Sequence, residues 1–483
     1  MQLAASFRRF STVDCRLSTV GLSAACGLLL AFALATSPAN AGQNPSTAQA
    51  SPAPPAGRVP ALPAQAPTTI IKVDVNQVLV PVVVTDKHGH SVTGLSASDF
   101  LVSEDGEPQR LTAFSTESDL TETTLKANSP LPAPSSAMIP PGAARRTYII
   151  CLDTLNSSFT NLAGVTSALE KLFKREEGSD SKYALVALGR QPMVIRNLTR
   201  DPNDILAALE SKELTKEIGL GENGNMAQQQ SELSFKLQEY CERCPCAGMP
   251  PPDAGGSSSD QVCAGKRNGL EVFAGAASEE RSLWARNFLG DMKDLVNNLA
   301  GQPGKRILIL ISDGFTLRPG RDLFGLLALY FQIELQNPGD SLKPAIDDIV
   351  RLATARDVTF YTLDSRGLYG SAAGALDASQ DLQYGRVGPV LLPMIEAQKN
   401  MEAHENQDAM TELAVDTGGV FYHNSNDLLK GLRQAFADGR EYYLLAYAST
   451  HKASDGKFRE IRVEVKRKDA IVRSKRGYWA PGP

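Results

Sequence analysis

The chain has 483 residues, 42% of them hydrophobic and 21% charged, with a formal net charge of −5. That length exceeds one ordinary domain and predicts two or three folded units joined by linkers. The charge balance has no basic bias, so nucleic acid is excluded as the expected partner.

At the N-terminus, Arg8, Arg9 and Arg16 precede an apolar stretch from Val20 to Thr36, followed by small residues at Ala39 and Ala41. This is the order of an export signal, so residues 1–41 are read as a signal peptide cleaved after Ala41. The apolar run is shorter than the ~20 residues that span a bilayer, and no later segment is apolar enough to cross one. Residues 42–68, with "AQASPAPPAGRVPALPAQAPTT", bury too little to repay ordering and read as a disordered linker. The mature chain is expected outside the cytoplasm: periplasmic, in the cell envelope or secreted.

Residues 69–116 read as β-structure. Ile71, Val73 and Val75 alternate with polar residues, "VLVPVVVTD" continues as a strand, and "DFLVSEDGEPQRLTAFS" predicts two strands around the turn Asp105-Gly106. So few strands leave an edge and an apolar face open, and the segment needs a partner sheet. A second Pro/Ser/Ala linker covers 117–144.

From 145 to 438 strand and helix signals alternate. "RTYIICLD", "YALVALG", "KRILILISDG" and "VTFYTLD" are continuous apolar runs. Leu162, Val165, Leu169, Leu172 and Phe173 fall at helical spacing, as do Trp284, Phe288, Met292, Leu295 and Leu299. "DPNDILAALE" starts a helix with Asp201 as N-cap and Pro202 at the first helical position. Strands buried on both faces and separated by helices predict a doubly wound, mostly parallel α/β sheet. Residues 439–483 return to antiparallel β, with Ile461, Val463 and Val465 alternating with charges. They are expected to complete a β-sandwich with the segment that starts near Ile71.

Cys241, Cys244, Cys246 and Cys263 lie in an insertion at about 213–281. Cys-x-x-Cys is half a zinc site, but export favours two disulfides, with three connectivities open. They would staple a Gly/Pro/Ser-rich loop without a core. Cys151, inside an apolar strand, reads as a buried free thiol.

In an open α/β sheet, ligands bind outside the carboxyl ends of the strands. Asp153 with Ser157, Thr199 and Asp313 are placed there, and such hard oxygen donors suit Mg²⁺, Ca²⁺ or Mn²⁺ rather than Zn²⁺. The alternative is structural: Asp153 and Asp313 cap helix N-termini or bind loop amides.

These residues resemble the metal-ion-dependent adhesion site of von Willebrand factor type A domains, whose pattern is Asp-x-Ser-x-Ser, a Thr on a second loop and an Asp on a third. The flanks, "VVVTDKHGHSVTGLSASDFLVSEDGEPQRLTAF" and "EYYLLAYAS…GKFREIRVEVKR…GYWAP", resemble the VWFA-related proteins known chiefly from Acidobacteria, over roughly Ile70 to Pro481. The resemblance implies a VWA, Rossmann-like sheet and a cation held by Asp153, Ser157, Thr199 and Asp313, with an acidic residue of the partner completing its coordination. The departure is Leu155, which stands where the pattern has its first Ser. Even changes behind the ligands cost ~10 to 100-fold in metal affinity, so a lost hydroxyl costs at least that.

The chain has five histidines, none in a Gly-x-Ser-x-Gly or His-Glu-x-x-His context. The expectation is therefore an exported, non-enzymatic adhesion protein that recognises a protein or cell-surface ligand through the top of the sheet. A metal-assisted hydrolase using Asp153 and Asp313, or an envelope scaffold with a degenerate metal site, are the alternatives.

Overall fold

The computed structural model describes residues 77–117, 144–176, 180–219, 223–247, 260–332, 341–367, 392–451, 455–480 and 482. The expected signal peptide, the linker of 42–68, the strand signal at Ile71 to Val75, nearly all of the second linker and all but the first residue of "GLYGSAAGALD" from Gly367, a stretch whose glycines and lack of a helix start predict a loop, lie outside them.

Alternating valines make the first strand. β1 (Gln77–Thr85) carries Val78, Val80, Val82 and Val84 into one core. β2 (Phe100–Glu104) and β3 (Glu107–Gln109) form a hairpin on Asp105-Gly106. Both turn residues take positive φ, 49° and 84°, the conformation for which Asp-Gly is selected in two-residue hairpins. β4 (Leu111–Glu117) ends the N-terminal set.

The α/β part begins with β5 (Arg146–Asp153), α1 (Phe159–Phe173), β6 (Ser181–Leu188) and β7 (Pro192–Thr199). Four helices follow: α2 (Pro202–Leu209), α3 (Lys212–Gly219), α4 (Asn223–Cys241) and α5 (Asp260–Ala300). Then come β8 (Lys305–Ser312), α6 (Arg321–Phe331), α7 (Lys343–Ala355), β9 (Val358–Asp364), α8 (Leu392–Asp416), β10 (Phe421–Tyr422) and α9 (Leu428–Arg440). The six strands lie in the order β10-β9-β8-β5-β6-β7, and only the β6/β7 pair is antiparallel. From β5 the chain adds β6 on one side and later returns to add β8 on the other. The switch point, where such sheets form a crevice, is therefore between β5 and β8.

Period-2 alternation sends the side chains of β5 to two cores. Ile149 and Cys151 join Phe288, Met292 and Leu295 of α5 on one face; Tyr148, Ile150 and Leu152 join Leu162, Val165 and Leu169 of α1 on the other. Each such fully buried aliphatic contributes roughly 1.5–3 kcal/mol, which fixes the register of the central strands. Cys151 is a free, buried thiol, and burial raises its pKa.

The last strands are β11 (Tyr442–Ala448), β12 (Phe458–Val465), β13 (Ile471–Ser474) and β14 (Gly477–Trp479). They interleave with the N-terminal set in two four-stranded sheets, β13-β1-β11-β4 and β14-β12-β2-β3. The two sheets share one core: Phe100 of β2 meets Phe114 of β4 and Tyr443 of β11, with ring centroids 5.8 and 5.0 Å away. Behind these rings Glu104, at 0% exposure, accepts hydrogen bonds from Tyr447 (2.6 Å), Tyr478 (3.0 Å) and Ser449, and lies 3.0 Å from His451 Nδ1.

The insertion differs from its expectation. Its disulfides join Cys241 to Cys246 and Cys244 to Cys263. The helices on either side carry a core that was not expected, made of Leu233, Leu237 and Tyr240 of α4, Leu270 and Ala274 of α5 and Leu323, Leu327 and Tyr330 of α6, while the Gly/Pro/Ser-rich segment 248–259 between Cys244 and Cys263 lies outside the described residues. The helical spacing of Trp284 to Leu299 belongs to a longer helix that begins at Asp260, and its 41 residues give it a length of ~60 Å.

Candidate functional site

β5 ends in Asp153, and the chain turns at once into α1, whose N-cap is Ser158: its hydroxyl accepts from the Asn161 N–H at 3.2 Å. β8 leads into Asp313, and β9 ends in Asp364. Because β5, β8 and β9 are parallel and adjacent, these three aspartates meet at one edge of the sheet, at the switch point.

Asp153 has 0% exposure. Its Oδ1 accepts from the N–H groups of Leu155 (3.1 Å) and Asn156 (2.9 Å), and its Oδ2 accepts from the Ser312 hydroxyl (2.5 Å). The Asn156 side-chain nitrogen adds a bond to each oxygen, at 3.1 and 3.0 Å. A carboxylate only accepts, so the amide faces it with its N–H₂ and not its oxygen. Burial pushes the Asp153 carboxyl up to about 7; the bonds from Ser312 and Asn156 oppose the rise, and the charge of Asp313 adds to it.

Asp313 ties the loops together. Its Oδ1 accepts from Ser365 (2.5 Å), its Oδ2 from the Ser158 N–H (2.9 Å) and the Asn161 amide (2.8 Å), and its own N–H donates to Ser157 Oγ (3.0 Å). Burial raises its pKa against those bonds and the nearby charge of Arg366. Arg366 makes a forked pair with Asp364, at 2.8 and 2.7 Å, and Gln407 of α8 donates to the same carboxylate at 3.0 Å. At Gly314, which has a φ of 93°, a Cβ would meet the Asn406 backbone oxygen at 2.8 Å, so the loop after β8 lies hard against α8. The Asn406 Oδ1 is buried without a hydrogen-bond partner.

Asp153, Ser157 and Asp313 therefore come together, and Thr199 does not join them. Being antiparallel, β7 places Thr199 opposite Tyr183 at the start of β6, whereas Asp153 lies opposite Leu188 at its end. Five residues of strand separate the two levels, ~17 Å. There the Thr199 hydroxyl donates to Asp204 (2.5 Å) and accepts from the Asp201 N–H (3.1 Å), a local cap at the start of α2. Leu155, 2% exposed, is turned into the core that holds Phe288 and Phe315.

Sequence reasoning did not assign Ser312, Asn161, Ser365, Asp364 and Arg366 to the site. A signal for Asp364 was present: "VTFYTLDS" is a third apolar strand ending in an aspartate and a small polar residue, as "YIICLDT" and "ILILISD" do.

A hard divalent cation needs about six oxygens with lone pairs directed at it. Here each oxygen of Asp153 and Asp313 already accepts from N–H or O–H donors, and Asn156 offers Asp153 a donor where a ligand would have to accept. The residues present do not fit Mg²⁺, Ca²⁺ or Mn²⁺. Among the described residues no group of three or more His, Cys, Asp or Glu is arranged to hold a metal. Asp153 has the raised pKa that a general base uses, but with 0% exposure it reaches no substrate proton.

Fold and site define the class: an open α/β sheet with a crest of aspartates and small polar residues along its carboxyl edge, flanked by antiparallel strands. No family model and no curated protein matches the chain. Among solved structures it is similar to an aerotolerance-related membrane protein from Bacteroides fragilis (11% identity, 60% of this chain and 97% of that one, TM-score 0.25). It is also similar to the proximal thread matrix protein 1 of the mussel byssus with a zinc-occupied MIDAS motif (11% identity, 46% and 38%, TM-score 0.21). A third is a mutant of the PilB minor pilin of Streptococcus sanguinis (11% identity, 62% and 61%, TM-score 0.27). The chain thus spans less than half of the mussel protein. With scores of this size the fold rests on the chain's own strand order.

Proposed function

We propose that the chain is an exported, non-enzymatic binding protein: a von Willebrand A-like domain at about 145–438, with a cysteine-containing insertion, carried on a β-sandwich made from residues 69–116 and 439–483. Its ligand is a protein or a cell-surface component, met at the crest formed by the loops after β5, β8 and β9, with Asp153, Ser157 and Asp313 holding that crest in shape. The observation that supports this most directly is the pairing of a rigid crest with an exposed aromatic. Every carboxylate there is fixed by internal donors, and Phe159, the residue after the Ser158 cap, is 58% exposed beside them. A preorganised polar surface with an accessible aromatic at its rim is what protein recognition uses, because little ordering remains to be done on binding.

The test is a pull-down from envelope extract of the producing cells, with and without EDTA, using the chain and its Phe159→Ala variant. A specific partner is expected with the parent chain and at least a ~10-fold weaker yield with the variant at unchanged melting temperature, as for loss of an interface anchor. A partner captured equally by both would move the contact away from the crest and favour the scaffold reading.

A further inference from the structure

We propose that the loops at the carboxyl ends of β5, β8 and β9 are joined by a metal-independent latch, in which the Asn156 side-chain amide takes the place beside Asp153 that a divalent cation would need. Three observations carry this. The amide nitrogen lies 3.1 and 3.0 Å from the two Asp153 oxygens, so it straddles the carboxylate. The remaining acceptor capacity of that carboxylate is taken by two backbone N–H groups and the Ser312 hydroxyl, which itself accepts from the Gly314 N–H at 2.9 Å. Finally, Leu155 lies in the core, so its position supplies no oxygen.

Three tasks of an ion are met by the chain itself. The first is joining the loops. Ser312 connects β8 to Asp153, while Asp313 reaches Ser158 and Asn161 on α1 and Ser365 after β9. The second is offsetting negative charge, which Arg366 does from its forked pair with Asp364, close enough to favour the charged form of Asp313. The third is satisfying buried acceptors: the donors named above fill Asp153, and each oxygen of Asp313 has at least one donor. The single orphan nearby, Asn406 Oδ1, is one neutral oxygen and makes no hard-cation site by itself.

The latch is tested on the full chain without any partner, so the result is separable from the ligand reading. Calorimetric titration with Mn²⁺ and with Mg²⁺ to about 1 mM, the weak end of extracellular cation sites, is expected to give no saturable heat. The melting temperature is expected to be the same in EDTA and in Mn²⁺. Asn156→Ala should lower the melting temperature by about 2 °C or more, because it leaves Asp153 Oδ2 with the Ser312 hydroxyl as its one donor, while Oδ1 keeps two backbone N–H groups. Asn156→Asp should convert the latch to a cation-dependent one: destabilised in EDTA and restored by Mn²⁺, with saturable heat that the parent lacks. Saturable Mn²⁺ binding by the parent that Asp153→Asn abolishes, or a melting temperature of the parent that falls in EDTA, would overturn the proposal. So would an Asn156→Ala variant as stable as the parent.

Discussion

Leu155 decides what the first loop can be. Its side chain is 2% exposed in the core under the crest, while its N–H bonds to Asp153. Leu155→Ser, which would restore the hydroxyl of the adhesion-site pattern, removes buried methyl groups and leaves a polar group without a partner. The expected loss is about 2–5 kcal/mol, by analogy with buried Leu to Ala changes, and urea unfolding measures it. A change below ~0.5 kcal/mol would mean that the side chain does not pack in this core. Asp153, Ser157 and Asp313 were legible in the sequence because each ends or follows an apolar strand, and parallel strands bring such positions to one edge. Thr199 was misplaced for the same reason: a hydroxyl at a strand end looks alike whichever way the strand runs, and β7 runs the other way. The roles of Asn156, Asn161, Ser312 and Ser365 were not legible. Asn156 turns back on a carboxylate three residues away, one of several local bonds open to an Asn in a loop, while Asn161, Ser312 and Ser365 reach theirs across 152, 159 and 52 residues, which no local pattern encodes.

Glu104 shows how one residue seals an element pair. It is the last residue of β2, and its hydroxyl donors come from β11, β14 and the chain just after β11. Burial alone would raise its pKa, but the bonds from Ser449, Tyr447, His451 and Tyr478 bring it below the ordinary glutamate value of 4.5. A folded pKa below the unfolded one means that the stabilisation is complete above the unfolded value and is lost as pH falls through the folded one. Glu104→Gln is therefore expected to lower the melting temperature at neutral pH, and the gap to the parent should narrow as pH falls below 4.5. Melting curves of both proteins between neutral and acid pH check this, and a gap that stays constant would assign the loss to packing instead of charge. At this scale the sequence was informative where a period was clean. The alternating valines of β1, the Asp-Gly hairpin and the apolar stripe of α1 are local signals. The N-terminal half of α5 was not, because a helix whose apolar residues serve a small separate core, and which carries several glycines and a disulfide, has no single stripe to read.

The same bonding logic joins the α/β part to the flanking sheets. Arg473 of β13 crosses to Asp438 on α9, donating to both carboxylate oxygens at 2.9 and 2.5 Å, and Asp438 has 0% exposure. Tyr361 of β9 and Gln434 of α9 donate to the same carboxylate at 3.0 and 2.8 Å. Nearby, Lys475 reaches Asp357 at 2.9 Å. The strand order makes this coupling matter: β1 is held between β11 and β13, so neither flank can form its sheet without the other, and both must dock where α9 ends. Arg473→Leu would strand a buried carboxylate, and the expected cost is about 3–5 kcal/mol, far above the ~1 kcal/mol of an exposed pair. Adding Asp438→Asn to that variant removes the unpaired charge and should recover a large share of the loss, a non-additivity that urea unfolding of the four proteins in the cycle measures. If Arg473→Leu cost less than ~1 kcal/mol, the pair would be acting as a solvated surface bridge and would not couple the sheets to the α/β part. Additive losses would be equally decisive, because they would mean that the guanidinium and the carboxylate are each stabilised by other groups and not by one another.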